Sequence, residues 1–243
     1  MKRMFDILVS SVGLIIVSPL LIPVCILIWL QDYHSPFYVA PRVGRFGKVF
    51  KMIKLRSMII NADKSGVDST AANDKRITKL GQFVRRYKLD ELPQLINVLK
   101  GDMSLVGPRP NVKRDTDLYT DVEKGLLLAQ PGITDMASIV FADEGEILKG
   151  SDDPDLKYNQ VIRPWKSRLA LLGIEKSSLG FDMKLIMLTA KAIVSRKDAL
   201  AGVNKLLRDV GASDDLQTIA LREQPLLPTP PPGADSIVTS RNH

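Results

Sequence analysis

The sequence predicts an α+β fold that is mainly helical, with an N-terminal re-entrant membrane helix, amphipathic helices at the membrane interface and a small cytoplasmic core. Three observations carry this expectation. Residues 7–30, ILVSSVGLIIVSPLLIPVCILIWL, hold no charge yet contain Pro19 and Pro23. Both flanks of that run are basic: Lys2 and Arg3 precede it, and Arg42, Arg45, Lys48, Lys51, Lys54 and Arg56 follow with no acidic residue from Tyr33 to Ala62. Beyond it, short alternating segments give way to helical periodicities.

As a straight helix the apolar run measures about 36 Å, against a hydrocarbon core of roughly 30 Å. Each proline removes an amide donor and crowds the carbonyl four residues back. The halves on either side are about 18 Å long, too short to span alone. Basic flanks favour the cytoplasmic side, and here both ends carry that preference. The expectation is a helix broken at Ser18 and Pro19 that enters the bilayer and returns, with the Ser18 hydroxyl donating to a carbonyl freed at the break. A kinked spanning helix is the competing reading. Trp29, Gln31 and Asp32 close the run without a small-residue cleavage pattern, so it reads as a retained segment rather than a signal peptide.

A chain of 243 residues can bury one sizeable core. Its formal charge of +7 suits nucleic acid, anionic membrane lipids or a phosphorylated ligand. Aromatic residues make up only 6% and do not interleave with basic ones, which weighs against nucleic acid. Cys25 is the one cysteine and lies in the apolar run, so no intrachain disulfide forms and the thiol reads as a small buried hydrophobe. His34 and His243 are the only histidines, which excludes a histidine triad and a zinc cluster. A Walker loop and a GxGxxG fingerprint are also absent.

The segments FYVAPRVG and KVFKMIKLRSM, with Gly44 and Gly47 at their junction, predict a hairpin near the membrane surface. NADKSGVDSTAANDKR reads as a polar loop. Leu80, Phe83, Val84 and Tyr87 form a helical stripe on a segment that also carries Arg85 and Arg86. KLDELPQL follows, where Asp90 is placed to cap a helix with Pro93 in its first turn, apolar residues Leu92, Leu95, Ile96 and Leu99, and a stop near Gly101. In GDMSLVGPRP, Arg109 stands between two prolines, a rigid frame for a planar fork that meets a phosphate or carboxylate. RPWKSRLALLGIEKSSLGFDMKLIMLTAKAIVSRKDAL mixes apolar helical runs with basic residues, as helices at an interface do. From Gln224 the proline-rich composition predicts a flexible tail.

The adjacent carboxylates Asp90 and Glu91 are helix-end groups or reagents. Carboxylates act as nucleophiles toward phosphoryl groups, hard oxygen ligands suit Mg2+, and cationic side chains stabilise phosphate charge. On the residues alone, three classes stay open: a phosphoryl-transfer enzyme, a membrane phosphohydrolase using the same carboxylates, and a non-catalytic membrane scaffold.

The stretch NDKRITKLGQFVRRYKLDELPQLINVLKGDMSLVGPRP, residues 73–110, resembles the bacterial sugar transferase family, the monotopic phosphoglycosyl transferases that attach a sugar 1-phosphate to a polyprenyl phosphate. The resemblance runs back through FKMIKLRSM and PRVG to Ser18 and Pro19, forward through QPGIT at residues 130–134, and covers the chain to about residue 195. In length the chain matches the small form of that family. The resemblance implies transfer of a sugar 1-phosphate from a nucleoside diphosphate sugar, a UDP-sugar, to undecaprenyl phosphate with release of UMP. That reaction is the first membrane step of a surface glycan or glycoconjugate such as O-antigen or capsule. It further implies Asp90 as nucleophile through an aspartyl phosphosugar intermediate, Glu91 as its assistant, Mg2+ held by Glu91 and Asp90, and Lys54, Arg56, Arg85 and Arg109 as phosphate- or substrate-binding groups.

The organisation implied is a membrane anchor at 1–32, a catalytic domain at 33–200 on the cytoplasmic face of the bacterial inner membrane, and a C-terminal extension at 201–243 ending in the flexible tail. Whether the chain forms a homodimer is not fixed by the sequence. One departure stands out. Many members continue after PGIT with Gly, Trp, Ala, Gln, Val, Asn, Gly and Arg, whereas here the chain reads PGITDMASIVFADEGEIL, with Asp135 at the glycine and Ala142 at the arginine. Arg114 or Arg163 is the expected spatial substitute for that missing cation.

Overall fold

The computed structural model describes residues 1–65 and 69–240. Gly66, Val67 and Asp68 of the expected polar loop, and His243 at the terminus, lie outside the described residues.

The apolar run forms one helix, α1 (Lys2–Leu30), which carries Pro19 and Pro23 within it. Pro19 has no amide to offer the carbonyl of Ile15, four residues back. The Ser18 hydroxyl donates to that same oxygen at 2.9 Å. Both ends of α1 bind the rest of the chain. Near the start, Lys2 Nζ donates to Val106 O at 3.0 Å and pairs with Asp182, while Arg3 donates to Val98 O and Leu99 O. Asp6, buried, accepts from Ser104 Oγ at 2.8 Å and from Leu105 N at 3.2 Å. At the far end Val24 and Ile28 pack with Leu55, Val84 and Leu89. Most of the side chains between point outward: Leu8, Val12, Ile15, Ile16, Leu20, Ile22 and Ile26 are exposed.

The predicted hairpin is present. Strand β1 (Phe37–Val43) pairs antiparallel with β2 (Val49–Leu55), from Phe37 opposite Leu55 to Val43 opposite Val49. Gly47, at φ 75°, takes the left-handed position that closes the turn.

Helix α2 (Lys79–Arg86) starts on Thr78, whose hydroxyl accepts from Gly81 N at 2.9 Å. Its inward face differs from the expected stripe. Val84 and Gly81 are buried, whereas Phe83 and Tyr87 are exposed, their rings 5.0 Å apart. The reason is the close approach of Ser57: a Cβ on Gly81 would lie 1.9 Å from Ser57 O, so the helix seats on its glycine and turns its aromatics out.

A short 3-10 turn, Leu89–Glu91, carries the carboxylate pair, and α3 (Gln94–Lys100) begins only after Pro93. Asp90 is therefore not the cap of that helix, as its position in the sequence suggests; the N-cap is Pro93, with no side-chain cap bond. The helix stops where expected, on Gly101 at φ 90°.

Strand β3 (Ser104–Val106) pairs in parallel with β4 (Gly132–Thr134), and between them lies α4 (Lys113–Thr116). After β4 come α5 (Met136–Val140), α6 (Glu144–Leu148), α7 (Pro154–Lys157), α8 (Arg163–Glu175), α9 (Leu179–Val194), α10 (Arg196–Asp209) and α11 (Asp214–Leu221). One apolar core joins Met52, Leu95, Val98 and Val106 to Ile139, Leu169, Leu185, Val203, Leu207 and Leu216, so it runs without a gap past residue 200. Each such side chain contributes about 1.5–3 kcal/mol when fully buried.

The proline-rich tail, read from its composition as flexible, lies along the body in extended form. Thr229 N donates to Gln160 O at 2.9 Å, Gln160 Nε2 to Val238 O at 2.8 Å and Arg168 Nη2 to Pro230 O at 2.9 Å. Val238 is buried. Backbone carbonyls of a chain that forms no ladder of its own are taken by side chains of α8 and the turn before it.

Candidate active site

The turn that holds Asp90 and Glu91 exists because Lys88 adopts a left-handed conformation, φ 57°, immediately after α2. That residue stops α2, and the next three pack against β2, with Glu91 reaching Arg109. Asp90 is buried, and both carboxylates line a cleft of about 1490 Å³. That volume exceeds the 300–1,000 Å³ usual for drug-sized ligands and suits a larger, extended substrate.

The two carboxylates are engaged unequally. Glu91 Oε1 accepts from Arg109 Nη2 at 2.6 Å and from Lys54 Nζ at 3.2 Å. Asp90 makes no hydrogen bond among the described residues; its nearest charged partner is Lys54 Nζ, 3.7 Å from Oδ2. Burial pushes the Glu91 carboxyl up, but Arg109, Lys54 and Lys88 together outweigh it and hold the group well below the usual carboxylate range. Burial lowers Lys54, and Arg109 adds to that, against the opposing pull of Glu91 and Asp90. Glu91 in turn raises Arg109, which remains a fixed cation.

The remaining predicted residues divide. Arg85 lines the cleft with no hydrogen bond or salt bridge among the described residues, so its guanidinium is available. Arg56 also lines the cleft, but its guanidinium forms a two-pronged ion pair with Asp32 and donates to Ser35 O at 2.9 Å and Ile28 O at 3.3 Å, tying the end of α1 to the end of β2. Ser18 and Pro19 lie on α1, outside the cleft lining.

Asp135 is buried and caps α5, accepting from Ser138 N at 2.7 Å and Ser138 Oγ at 2.6 Å. Burial raises its carboxyl against those two bonds. Arg163 does not replace the cation missing at Ala142. It is buried against Glu123, with Nε to Oε1 at 3.0 Å, and also bonds Asn159 and Leu118 O. Arg114 pairs with Asp155 at 3.1 Å.

Three cleft residues escaped the sequence reading: Glu144, Lys166 and Tyr158. Glu144 pairs with Lys166, and the Lys166 ammonium sits 5.3 Å from the Tyr158 ring centre. They come from α6, α8 and the turn before α8, too far apart in sequence to form a motif. The departure around Ala142 was the one available signal.

Asp90 and Glu91 are the two carboxylates of the turn that would ligate Mg2+, and one oxygen of Glu91 is already held by Arg109 and Lys54. This ion binds through one or two carboxylates with substrate phosphates and water filling the rest of its shell. Asp90 and Glu91 supply two, and no group of three or more potential ligands occurs among the described residues.

Residues 1–196 match the sequence profile of the family described as bacterial sugar transferase. The chain is 36% identical over 217 residues to the undecaprenyl-phosphate galactose phosphotransferase of Salmonella typhimurium, covering 82% of this chain and 41% of that protein. It is 35% identical over 196 residues to the UDP-glucose:undecaprenyl-phosphate glucose-1-phosphate transferase of Escherichia coli K12, with 78% and 39% covered. A putative undecaprenyl-phosphate N-acetylgalactosaminyl 1-phosphate transferase of Bacillus subtilis is 50% identical over 109 residues, 45% of this chain and 61% of that one. The chain thus spans about two-fifths to three-fifths of the length of these relatives. A profile match that takes in α1, the hairpin, the carboxylate turn and Arg109 places this chain in the bacterial sugar transferase family.

Proposed function

We propose that this protein transfers a sugar 1-phosphate from a UDP-sugar to undecaprenyl phosphate, at the cytoplasmic face of the bacterial inner membrane. The observation that carries the reading is the unequal engagement of the two carboxylates. Glu91 is tied down by Arg109 and Lys54, while the neighbouring Asp90 keeps its oxygens free of hydrogen bonds in the same cleft. A nucleophile needs an unshared oxygen, and the groups around it need fixed positions.

In the first step an Asp90 oxygen bonds to the phosphorus that bears the sugar. The bond from that phosphorus to the bridging oxygen breaks, and UMP leaves with the electron pair. In the second step an oxygen of undecaprenyl phosphate bonds to the same phosphorus, and the acyl phosphate bond to Asp90 breaks, restoring the carboxylate. Arg109 and Lys54 sit where charge builds on the phosphoryl oxygens, and Arg85 has a free guanidinium for the diphosphate. Asp90 and Glu91 would hold Mg2+, which supplies further neutralisation of the diphosphate when bound.

Contacts made by α1 support the re-entrant reading. Lys2, Arg3 and Asp6 at one end and Val24, Ile28 and Asp32 at the other all contact the body of the chain, as do Val9, Leu14 and Val17 between them. A body on one side of a bilayer holds both ends of the helix on that side, which supports a re-entrant rather than a spanning segment. Exposed Leu179, Met183, Met187 and Ile193 on α9 offer a further apolar face to lipid, and the basic surface suits anionic headgroups.

The test is a single-turnover reaction. Purified protein with Mg2+ and a UDP-sugar, but no lipid acceptor, should release one UMP per active site and gain the mass of a sugar phosphate. Short-chain polyprenyl phosphate should then discharge it to a lipid diphosphate sugar. Release of free sugar phosphate to water would instead identify a phosphohydrolase, and no product at all a scaffold.

A further inference from the structure

The three named relatives share an acceptor and differ in their sugar, so the sugar contacts of this chain rest with its own cleft. The segment that leaves α5 reads Val140, Phe141 and Ala142, followed by Asp143 and Glu144. Asp143 is gripped by two arginines from near or beyond the family match, Arg196 Nη2 at 2.7 Å and Arg222 Nη2 at 3.4 Å. The Arg222 guanidinium also stacks 5.4 Å from the Phe141 ring centre, its side chain only 10% exposed. The segment is thus braced from behind, and Glu144 opens on the cleft with its side chain 30% exposed and Lys166 as its partner.

Glu144 and Lys166 line the same cleft as Arg109 and Lys88, and Glu144 feels the charge of both of those cations. Lys166 and Arg109 outweigh burial there and keep the Glu144 carboxyl below its usual range, so the pair is ionic. Tyr158 beside them is pushed well above its usual value by burial and Glu144, which keeps its hydroxyl protonated and able to donate. A carboxylate, an ammonium and a phenol in one wall present both acceptors and donors with no net charge to spare. That combination matches hydroxyl and amide groups. It opposes a sugar carboxylate, which would meet the charge of Glu144 while Lys166 is already neutralised.

Resting on the transfer reading above, we propose that Glu144 and Lys166 read the donor's sugar and select a neutral hexose or N-acylhexosamine over a uronic acid. The measurement is kcat/KM for UDP-glucose, UDP-N-acetylglucosamine and UDP-glucuronic acid, followed by UMP release. Wild type should prefer a neutral donor. Glu144→Gln should raise the ratio of uronic to preferred neutral donor by about tenfold, because it removes the repulsion and frees Lys166. Lys166→Gln should move the ratio the other way, and a structural role cannot produce opposite shifts. If Glu144→Gln does not fold, Lys166→Gln still decides, since the proposal requires its ratio to fall. Equal losses on all donors, unchanged ratios, or a wild-type preference for the uronic donor would each overturn it. Failure of the transfer reading looks different: wild type would then form neither UMP nor a phosphosugar adduct with any of the three, nor with UDP-galactose or UDP-N-acetylgalactosamine.

Discussion

Arg109 Nη2 donates to Glu91 Oε1 at 2.6 Å, and Lys54 Nζ reaches the same oxygen at 3.2 Å. One carboxylate thereby organises two cations next to a second carboxylate that neither hydrogen-bonds. The arrangement separates two tasks that adjacent residues of similar chemistry could otherwise share.

Asp90 caps no helix, so Asp90→Asn should change stability by no more than about 1 kcal/mol. As the proposed nucleophile it should lose at least about a thousandfold in UMP release and form no adduct. Intact-protein mass spectrometry alongside thermal melting separates the two effects. A folded variant with near wild-type turnover would refute the assignment.

Glu91 is held well below the usual carboxylate range in the folded protein. Its contribution to stability is therefore complete above the ordinary glutamate value, about 4.3, and lost as pH falls through the lowered folded value. Wild type should lose stability more steeply than Glu91→Gln on acidification below that point, although the variant starts less stable. Denaturation in detergent across pH 3–6 would show the two curves converging.

Lys54 is lowered from the ordinary lysine value, so its charge disappears earlier on the alkaline side. UMP release should decline as pH rises through that lowered value, before an ordinary lysine would titrate. Lys54→Arg, if it retains activity, should push the decline to higher pH, because the guanidinium stays charged. A pH profile of single-turnover rates checks this.

If α1 is re-entrant, both of its flanks face the cytoplasm. A cysteine in a short N-terminal extension and Lys48→Cys, each in a Cys25→Ser background, should resist an impermeant thiol reagent in intact cells and react after lysis. Replacing Pro19 and Pro23 by leucine should favour a straight spanning helix and expose the N-terminal site.

Gly132 of β4 and Gly107, the residue after β3, approach so closely that a Cβ on Gly132 would lie 2.1 Å from Gly107 N. Gly132→Ala should destabilise by about 1–3 kcal/mol or more, since both partners are backbone. Gly150→Ala, in open space but at φ 71°, should cost less. Parallel melts would rank them.

Much of this was written locally in the chain. The apolar run, the hairpin on Gly44 and Gly47 and the helix stop at Gly101 follow from short-range chemistry, side-chain period and backbone freedom, whereas the role given to the dyad came from the family resemblance and the cap its position suggested did not form. Ser18, placed one residue before a proline, was legible as a donor for the orphaned carbonyl because both lie within one helical turn. What the sequence could not settle depends on which side chains share a cation. Arg56 and Arg109 look alike in one dimension, yet Asp32 takes the first and Glu91 the second. The buried face of α2 was decided by the approach of Ser57, a contact with no periodic signature. Glu144 and Lys166 meet only because α6 and α8 pack over the same cleft, and the arginines bracing Asp143 come from α10 and the residue after α11. Local rules fix elements and caps; ion pairing is fixed by distance in space, which the chain acquires only when its core closes.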